Sequence, residues 1–318
     1  MDEKKEDRRN HLRGDGKLPV IFVDAENLAE ATYKSIIACY DSGARIETPK
    51  HKEGGSLGYD ADMIIRVNNP ANPLQIYYPG IHDDARGLVQ YLFEVTHGIH
   101  NHWKKSPEHP DRCGYTYNER FVDQIPFILD RIKNDFRKKG QITSRQYQFT
   151  IWRPGEDIIP EQPDPPCLQR GHLRFLMDSD GNPVLNYITD WRSRDSLKAW
   201  DENNLAQLRL MNLFAKKTSS VINQEVKLGA YIDRSSSLHL YGLYIDRDGL
   251  DKKIERMKKT PYQDLSSSLD DYLMNTSGKT MDYFKRLVAA QTDAEAKGHG
   301  LNQSEDTLSK LGYDLQTF

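Results

Sequence analysis

The sequence predicts an α+β protein with one large domain, in which helices pack against a mixed β-sheet, and a C-terminal appendage. Short β-rich apolar runs alternate along the chain with stretches whose apolar residues recur at helical spacing. Beyond about Asp246 the composition becomes rich in Lys, Ser and Asp. We therefore expect a mobile charged N-terminus at 1–17, a main domain at 18–246 and an extension at 247–318.

The first half of the domain alternates predicted strands and helices. An apolar β-rich run at 19–23 precedes a helical pattern at 27–40, and a second strand is expected at 63–67 after a Gly-rich loop. Helical spacing of apolar residues then predicts helices at 84–98 and 119–138.

The second half begins with three predicted strands, at 146–152, 172–177 and 184–188. The polar segment Asp178–Asn182 between the last two is typical of a hairpin turn. A long helix at 204–226 and strands at 230–233 and 238–245 complete the domain, and modest helices are expected at 254–257 and 283–290.

Charge and hydropathy exclude several classes of protein. The 44 basic and 47 acidic side chains nearly cancel, so the chain lacks the basic footprint of a nucleic-acid-binding protein. The N-terminus lacks the apolar core of a signal peptide, and no run reaches the roughly 20 apolar residues of a membrane span. We expect a cytoplasmic protein without membrane or nucleic-acid partners, whose phosphate sites are local.

Three cysteines are too few and too widely spaced for a disulfide scaffold or a zinc site. Cys39 lies among the apolar positions of a predicted helix, which favours the core, and Cys113 has no distinctive neighbours. Cys167 follows Pro165-Pro166 and precedes Arg170. A nearby cation favours the nucleophilic thiolate, although for this motif taken alone a structural cysteine at the start of a strand is the commoner case.

Two polar clusters follow. In Arg192-Ser193-Arg194-Asp195 a guanidinium and a hydroxyl suit a phosphate, and the alternative is a solvated turn with an internal ion pair. His239 and Tyr241 share one face if the segment is a strand, so both polar tips can meet one ligand.

The order of these motifs resembles the thymidylate synthase family over roughly residues 20 to 245. The resemblance rests on Pro166-Cys167, Arg192-Ser193-x-Asp195 and His239-Leu240-Tyr241, with Asn204-Leu205-Ala206 at the start of a long helix. Upstream, Ser144-Arg145 resembles the segment whose arginine reaches the phosphate of the neighbouring subunit, and Tyr115 resembles the active-site tyrosine.

The resemblance implies a folate-dependent methyltransferase, a thymidylate synthase that converts deoxyuridylate to thymidylate with 5,10-methylenetetrahydrofolate as co-substrate and without a metal. It also implies a homodimer in which Arg145 is donated across the interface. The alternatives are a pyrimidine-nucleotide C5-hydroxymethylase of the same superfamily and a catalytically inactive nucleotide-binding homologue.

The resemblance also implies a role for each matched residue. Cys167 adds to C6 of the base, which makes C5 nucleophilic, and an asparagine reads the uracil edge because its amide offers both a donor and an acceptor. The remaining roles are phosphate binding by Arg192, Ser193 and Arg145, with Arg170 as a further candidate, sugar binding by His239 and Tyr241, pterin binding by Asp195, proton transfer through Tyr115, the folate-side carboxylate of Glu94 and stacking by Trp103.

The sequence departs from the family pattern at several positions. Gln146 replaces a second arginine, Ser237 replaces the aspartate two before the histidine, and Leu168 replaces the commoner histidine. Asn203 competes with Asn204 as the base reader, because the loop before the helix is one residue longer; Leu205 and Ala206 favour Asn204. In the N-terminal phosphate loop Lys50 or Lys52 takes the place of an arginine.

One further motif, Asp24-x-x-Asn27 after the first strand, is typical of a metal-dependent nuclease. A catalytic metal needs several converging ligands, and no matching acidic cluster follows in the sequence. We therefore predict no metal site there.

Overall fold

One mixed sheet organises the chain. The computed structural model describes residues 16–47, 55–70, 74–81, 84–103, 114–160, 164–276, 278–299 and 303–315. The strands are β1 (Val20–Ala25), β2 (Ala44–Ile46), β3 (Gly58–Val67), β4 (Gln75–Tyr77), β5 (Gln148–Thr150), β6 (Leu168–Met177), β7 (Pro183–Trp191), β8 (Arg194–Asp195), β9 (Lys227–Leu240) and β10 (Ser266–Ser268). The main strand order of the sheet is β1-β3-β9-β7-β6-β5; β2 pairs with β3, and β8 with β9. β4 and β10 form a separate antiparallel pair.

Helices connect the strands and pack against the sheet. They are α1 (Leu28–Ser42), α2 (Ala85–His97), α3 (Tyr117–Phe121), α4 (Ile125–Lys139), α5 (Pro154–Asp157), α6 (Trp200–Ile222), α7 (Gly242–Asp248), α8 (Leu250–Lys259), α9 (Leu269–Thr276), α10 (Gly278–Ala296) and α11 (Glu305–Lys310). Short 3-10 turns lie at Tyr78–Gly80, Val122–Gln124 and Tyr262–Leu265. The predicted fold class, a mixed sheet packed by helices, is confirmed.

Only one face of the sheet is buried. Along β3 the residues Ala61, Met63 and Ile65 have no exposed surface, whereas the intervening side chains are half-buried or exposed. The same alternation runs through β6, β7 and β9, because side chains in a strand point alternately to opposite faces. The opposite face carries exposed apolar side chains, among them Phe22 at 61% exposure and Leu176 at 55%. Among the described elements, the helices cover the buried face.

The strand directions bring several chain segments to one edge of the sheet. β7 and β9 are parallel and are joined through α6, so both strands end at the edge where α6 begins. β6 is antiparallel to β7 and starts there, with Leu168 opposite Trp191. β3 is antiparallel to β9 and places Asp60 opposite His239. Cys167, Arg192 and His239 therefore meet at this edge, which is where open α/β sheets commonly bind ligands.

The local structure differs from the sequence-based expectation at three places. α6 begins at Trp200 rather than at Asn204, since the indole of Trp200 is fully buried and two acidic residues in the first turn favour a helix N-terminus. β9 is one continuous strand that ends at Leu240, so Tyr241 lies beyond it as the N-cap of α7. The helix predicted at 119–138 is interrupted by a 3-10 turn, and α4 restarts at Ile125. Pro126 lies in its first turn and lacks the amide hydrogen that a continuous helix needs.

Several local predictions are confirmed. β6 and β7 form the expected hairpin around Asp178–Asn182, and Cys39 is fully buried. Cys113, Lys50 and Lys52 lie outside the described residues. The Asp24 carboxylate accepts hydrogen bonds from Arg66 and Asn68.

The C-terminal residues pack against the domain. In α10 the Phe284 ring stacks on Phe93 of α2 at a centroid distance of 5.7 Å, and Gln291 donates a hydrogen bond to the Ile99 carbonyl at 3.5 Å. Within the described ranges no helix has the length and apolar character required to cross a bilayer.

Asp201 in the first turn of α6 is a fully buried carboxyl group. Its Oδ1 accepts from the Thr32 hydroxyl, whereas its Oδ2 has no hydrogen-bond partner among the described residues. A Cβ on Gly80 would lie 3.3 Å from the Asp201 Cβ, so the surrounding packing is tight. Burial raises the pKa of Asp201 to about 8, and the folded protein therefore holds this side chain neutral at pH 7.

We predict that Asp201→Asn stabilises the protein at pH 7.5 relative to the wild type. The folded state keeps a proton that the unfolded state loses above about pH 4, so Asp201 lowers the free energy of unfolding as the pH rises from about 4 to 8. Asparagine removes this contribution, and we expect a gain of the order of 2–4 kcal/mol in urea denaturation at pH 7.5 that shrinks towards pH 4.5.

The matched control is Asp123→Asn, a change to an exposed side chain. It should leave the free energy of unfolding within about 0.5 kcal/mol of the wild type at both pH values. A difference between Asp201→Asn and wild type that does not vary with pH would contradict the prediction.

Candidate active site around Cys167

Cys167 lies in the turn that leads into β6, and Arg192 holds this turn through hydrogen bonds from its backbone and its side chain. The Arg192 amide donates to the Cys167 carbonyl at 2.8 Å, and its Nη2 donates to the Pro165 carbonyl at 2.8 Å. The same nitrogen lies 3.6 Å from the Cys167 Sγ. The thiol is half-buried and Arg192 is exposed, so a cation stands over an accessible sulfur.

Burial raises the pKa of the Cys167 thiol, although Arg192 and Arg194 act in the opposite direction. The nearby carboxylate of Asp164 adds to the rise. The arginines thus favour the thiolate, as the sequence suggested, but they do not outweigh burial. In the protein without ligand the sulfur is mainly protonated at neutral pH.

Ser193 and His239 meet because β8 runs parallel to β9, with Asp195 opposite His239. The Nδ1 atom of His239 lies 3.5 Å from the Ser193 Oγ and 3.3 Å from the Ser237 Oγ. The Ser237 hydroxyl donates to the Asp60 Oδ1 at 2.8 Å, and burial raises the pKa of Asp60. Ser237 has no carboxylate of its own, but its hydroxyl connects the Asp60 carboxylate to the imidazole of His239. The sequence pattern did not indicate Asp60, because its contact with Ser237 joins residues that lie 177 positions apart in the chain.

The Asp195 carboxylate is held by its own chain. Its Oδ1 accepts from the backbone amides of Leu197 at 3.0 Å and Lys198 at 3.2 Å, and Tyr244 donates to its Oδ2. Burial raises the pKa of Tyr244, with Asp195 adding to the rise, so the phenol remains a donor. These bonds orient Asp195 at the edge of the site, and no sequence motif indicated Tyr244.

A cavity of about 330 Å³ lies beside Asp195, between the domain and the segment that follows Asp246. Tyr244 lines it, together with apolar side chains such as Leu197, Leu250 and Met257. Its charged lining residues are the cations Lys198, Lys253 and Arg256 and the carboxylate of Asp248. The surface therefore combines apolar walls with an excess of cations.

Tyrosines form another part of the site. The Tyr241 ring lies 4.8 Å from the His239 ring, so the two side chains meet even though Tyr241 follows the strand. Tyr117 packs edge-on against Trp191 at 5.8 Å and lies 6.0 Å from Tyr115. Burial raises the pKa of Tyr117, and Tyr91 and Cys167 raise it further, which places Tyr117 within electrostatic reach of both.

Asn203 and Asn204 occupy different environments in α6. Asn204 is fully buried, and its Oδ1 accepts from the Tyr231 hydroxyl at 2.6 Å and from the Arg194 Nη1 at 3.1 Å. Asn203 is half-buried, and its Nδ2 donates to the Tyr91 hydroxyl at 2.8 Å.

Glu94 and Trp103 come together through His100, which the sequence analysis did not single out. The His100 Nδ1 lies 2.5 Å from the Glu94 Oε1, and its ring stacks on Trp103 at 4.4 Å. Gln90 also donates to Glu94, at 3.2 Å.

The remaining arginine candidates lie along the sheet margin near β5. Arg170 pairs with Asp190 at 2.6 Å and donates to Gln148 at 3.1 Å. Arg145 is exposed, and Arg131 donates a hydrogen bond to the neighbouring Gln146. Within the described part of one chain, Arg145 makes no hydrogen bond or ion pair with the side chains around Cys167.

Comparison with known proteins gives a likeness to solved structures. No protein-family model and no curated protein matches the chain. Among solved structures, this chain is similar to the thermostable thymidylate synthase A of Bacillus subtilis, with 15% sequence identity and a TM-score of 0.48. The superposition covers 72% of this chain and 84% of the other chain. The case for a function therefore depends on the side chains around Cys167.

We predict that Cys167 alkylation by iodoacetamide has a pH midpoint above the roughly 8.5 of an ordinary thiol, because burial disfavours the charged sulfur. Arg192→Gln removes a cation that stabilises the thiolate, so the midpoint should rise further. Peptide mass spectrometry measures the modification of Cys167 at each pH.

Cys39 provides an internal control, because burial raises the pKa of this thiol to about 12 and it should stay unmodified in the folded protein. Arg137→Gln, on an exposed arginine of α4, should leave the Cys167 midpoint unchanged. A midpoint below 8, or one unaffected by Arg192→Gln, would disprove the electrostatic account.

Proposed function

We propose that the protein is a folate-dependent one-carbon transferase that acts on C5 of a pyrimidine nucleotide. The particular reaction we propose is that of a thymidylate synthase, the conversion of deoxyuridylate to thymidylate. The observation that carries the proposal is the half-buried Cys167 thiol, with the Arg192 guanidinium 3.6 Å away and the Ser193–His239 pair at the same sheet edge. This arrangement joins a nucleophile to groups suited to a phosphate and a sugar.

In this proposal the Cys167 sulfur forms a bond to C6 of the base, and C5 becomes the nucleophile that takes up the one-carbon unit. Covalent addition divides a difficult substitution into easier steps. Because burial keeps the thiol protonated, its proton has to pass to solvent as the sulfur adds, and the guanidiniums of Arg192 and Arg194 stabilise the developing thiolate. The C5 hydrogen leaves as a proton to solvent after C5 has bonded to the one-carbon unit, and its electron pair then expels the Cys167 sulfur. Tyr115, whose ring lies 6.0 Å from that of Tyr117, supports proton transfer in this proposal.

We propose that Arg192 and Ser193 bind the nucleotide phosphate. Arg192 is exposed beside the sulfur, and Ser193 contributes a hydroxyl next to it. Arg170 is less suited, since Asp190 already neutralises it. His239 and Tyr241 bind the sugar hydroxyl, and Asp60 orients the imidazole through Ser237.

The cavity beside Asp195 fits a folate. Its apolar walls suit an aromatic ring, and its three cations, which outnumber the one carboxylate of Asp248, suit the carboxylates of a glutamate tail. The folate would supply the one-carbon unit and, in methylation, the reducing hydride. Asp195, which accepts a hydrogen bond from Tyr244 of the cavity lining, would bind the pterin. Glu94 and Trp103, joined through His100, would also contribute to folate binding.

We also propose a homodimer that uses the uncovered sheet face. Exposed apolar side chains on this face, among them Phe22, Val20 and Leu176, favour a partner with the same surface, because a two-fold interface pairs like with like. Arg145 is exposed at the sheet margin and is suited to reach the phosphate of the partner subunit. Arg131, next to Gln146, provides a second cation near the position where the sequence lacks one.

We expect the wild-type protein to convert dUMP and methylenetetrahydrofolate to a product that carries an added methyl group, measured by mass spectrometry. With 5-fluoro-dUMP and the folate it should form a covalent adduct on Cys167. Cys167→Ser should abolish both turnover and adduct but leave dUMP binding within about threefold, since the hydroxyl keeps the site's shape but is a far weaker nucleophile.

Cys39→Ser is the matched control and should retain turnover, because the buried Cys39 thiol donates to the Leu238 carbonyl at 3.3 Å and a serine hydroxyl can keep that bond. Product that gains only a hydroxymethyl group would identify the hydroxymethylase instead. If dUMP binds but no adduct forms, the protein is a nucleotide-binding homologue without this chemistry.

Mixed dimers test the shared site. Arg145→Ala and Cys167→Ser should each have little activity, but subunit exchange between them should restore about a quarter of wild-type turnover, because a mixed dimer contains one intact site. A mixture of Cys167→Ser with Cys167→Ala serves as the control and should stay inactive. Failure to recover activity, with mixed dimers shown by native mass spectrometry, would contradict the donation of Arg145.

A further inference from the structure

The segment that carries Arg145 is anchored on both sides and exposed in between. Ile142 and Tyr147 are fully buried, and the Tyr147 hydroxyl donates to the Asp135 carboxylate at 2.7 Å. Arg145 lies between these anchors and is exposed. A side chain that acts on a second subunit needs this exposure. It also needs a fixed backbone, because a segment that must be ordered at each binding event weakens the binding.

His172 makes a hydrogen bond to this backbone. The register of β5 and β6 places His172 opposite Gln148, and the Leu173 amide donates to the Tyr147 carbonyl at 2.8 Å. The imidazole therefore lies beside the start of β5, where its Nε2 is 3.2 Å from the Arg145 carbonyl oxygen. A carbonyl oxygen can only accept a hydrogen bond, so the His172 Nε2 carries the hydrogen.

His172 also belongs to the uncovered face of the sheet. Along β6 the side chains of Leu173 and Phe175 are buried, whereas those of His172, Arg174 and Leu176 point to the other face. This is the face that the proposed homodimer uses. The imidazole thus connects the proposed interface to the segment that carries the donated arginine.

The charges around His172 favour a neutral ring. Burial lowers the pKa of His172, and Arg170 and Arg174 lower it further, whereas the bond to the Arg145 carbonyl and the Asp190 carboxylate act in the opposite direction. The ring is therefore mainly neutral at pH 7 and above. A neutral donor holds the backbone without adding a third positive charge beside two arginines.

We propose that His172 is a positioning residue that acts across the subunit interface. Its Nε2–H fixes the backbone of Arg145, and the guanidinium of that arginine is thereby presented to the phosphate bound in the other subunit. This inference rests on the proposed function, because it requires the homodimer and the donated arginine. Its consequence is specific: loss of His172 impairs the partner's site and leaves the site of its own subunit intact.

Mixed dimers with a single site test this consequence. In a dimer of Arg145→Ala with Cys167→Ser, the one intact site combines the nucleophile of the first subunit with the arginine of the second. His172→Leu is placed either in the Cys167→Ser subunit, which donates the arginine, or in the Arg145→Ala subunit, which contains the site. Initial rates against dUMP concentration give kcat and KM, and native mass spectrometry measures the amount of mixed dimer in each mixture.

In the donating subunit, His172→Leu should raise KM for dUMP about 3- to 10-fold, the effect of one lost hydrogen bond. It should leave kcat within about twofold, because the phosphate is bound equally before and during the reaction. The same change in the subunit that contains the site should leave both constants unchanged. His172→Gln in the donating subunit should keep the KM of the parent mixture, because its amide can donate to the same carbonyl.

His299→Leu in the donating subunit is the matched control, since it changes an exposed histidine beyond the end of α10 and should alter neither constant. An unchanged KM with His172→Leu in the donating subunit would overturn the inference and leave the proposed function standing. An equal rise in both placements, or a rise with His172→Gln as large as that with His172→Leu, would do the same. Mixed dimers of Arg145→Ala with Cys167→Ser that form but have no activity would overturn the donation of Arg145, and this inference with it.

Discussion

The buried ion pair between Arg194 and Asp233 is the interaction on which the site depends. Both side chains are almost inaccessible to solvent, and an unpaired charge at that depth would cost several kcal/mol. The surrounding groups compensate for the loss of water. Ser235 accepts from Arg194 at 3.0 Å and donates to Asp233 at 3.0 Å, and the Trp200 indole donates to Asp233 at 3.4 Å. The pair thereby ties β8, β9 and the first turn of α6 together beneath Cys167.

The network extends from this pair through hydrogen bonds of fixed direction. Arg194 and Tyr231 both donate to Asn204, Tyr231 shares a 2.7 Å hydrogen bond with Thr189, and Thr189 accepts from the Trp191 indole at 3.0 Å. In a low-dielectric interior such a network favours one arrangement of its donors and acceptors, so it specifies the positions of the backbone segments that carry it. Arg192, Ser193 and Asp195 extend from this rigid base towards the open edge of the sheet.

The two faces of the sheet differ in what covers them. Its covered face contains the aromatic core, and its uncovered face carries charged and apolar side chains. The site lies at the strand ends between them, where residues from β3, β6, β7 and β9 meet although they lie far apart in the chain. The segment after Asp246 also packs on the domain, since α8 lines the cavity beside Asp195 and α10 packs on α2.

The sequence by itself determined the class of fold, the β6–β7 hairpin, the core position of Cys39 and the motifs that meet at the strand ends. These follow from local periodicity and turn chemistry, which act over a few residues. Only the tertiary structure decided that α6 begins at Trp200, that Asp60 supports His239 through Ser237, and that Asn204 is enclosed while Asn203 meets Tyr91. Each of these depends on contacts between chain segments far apart in sequence or on the burial of a polar group, and neither leaves a periodic signal along the chain.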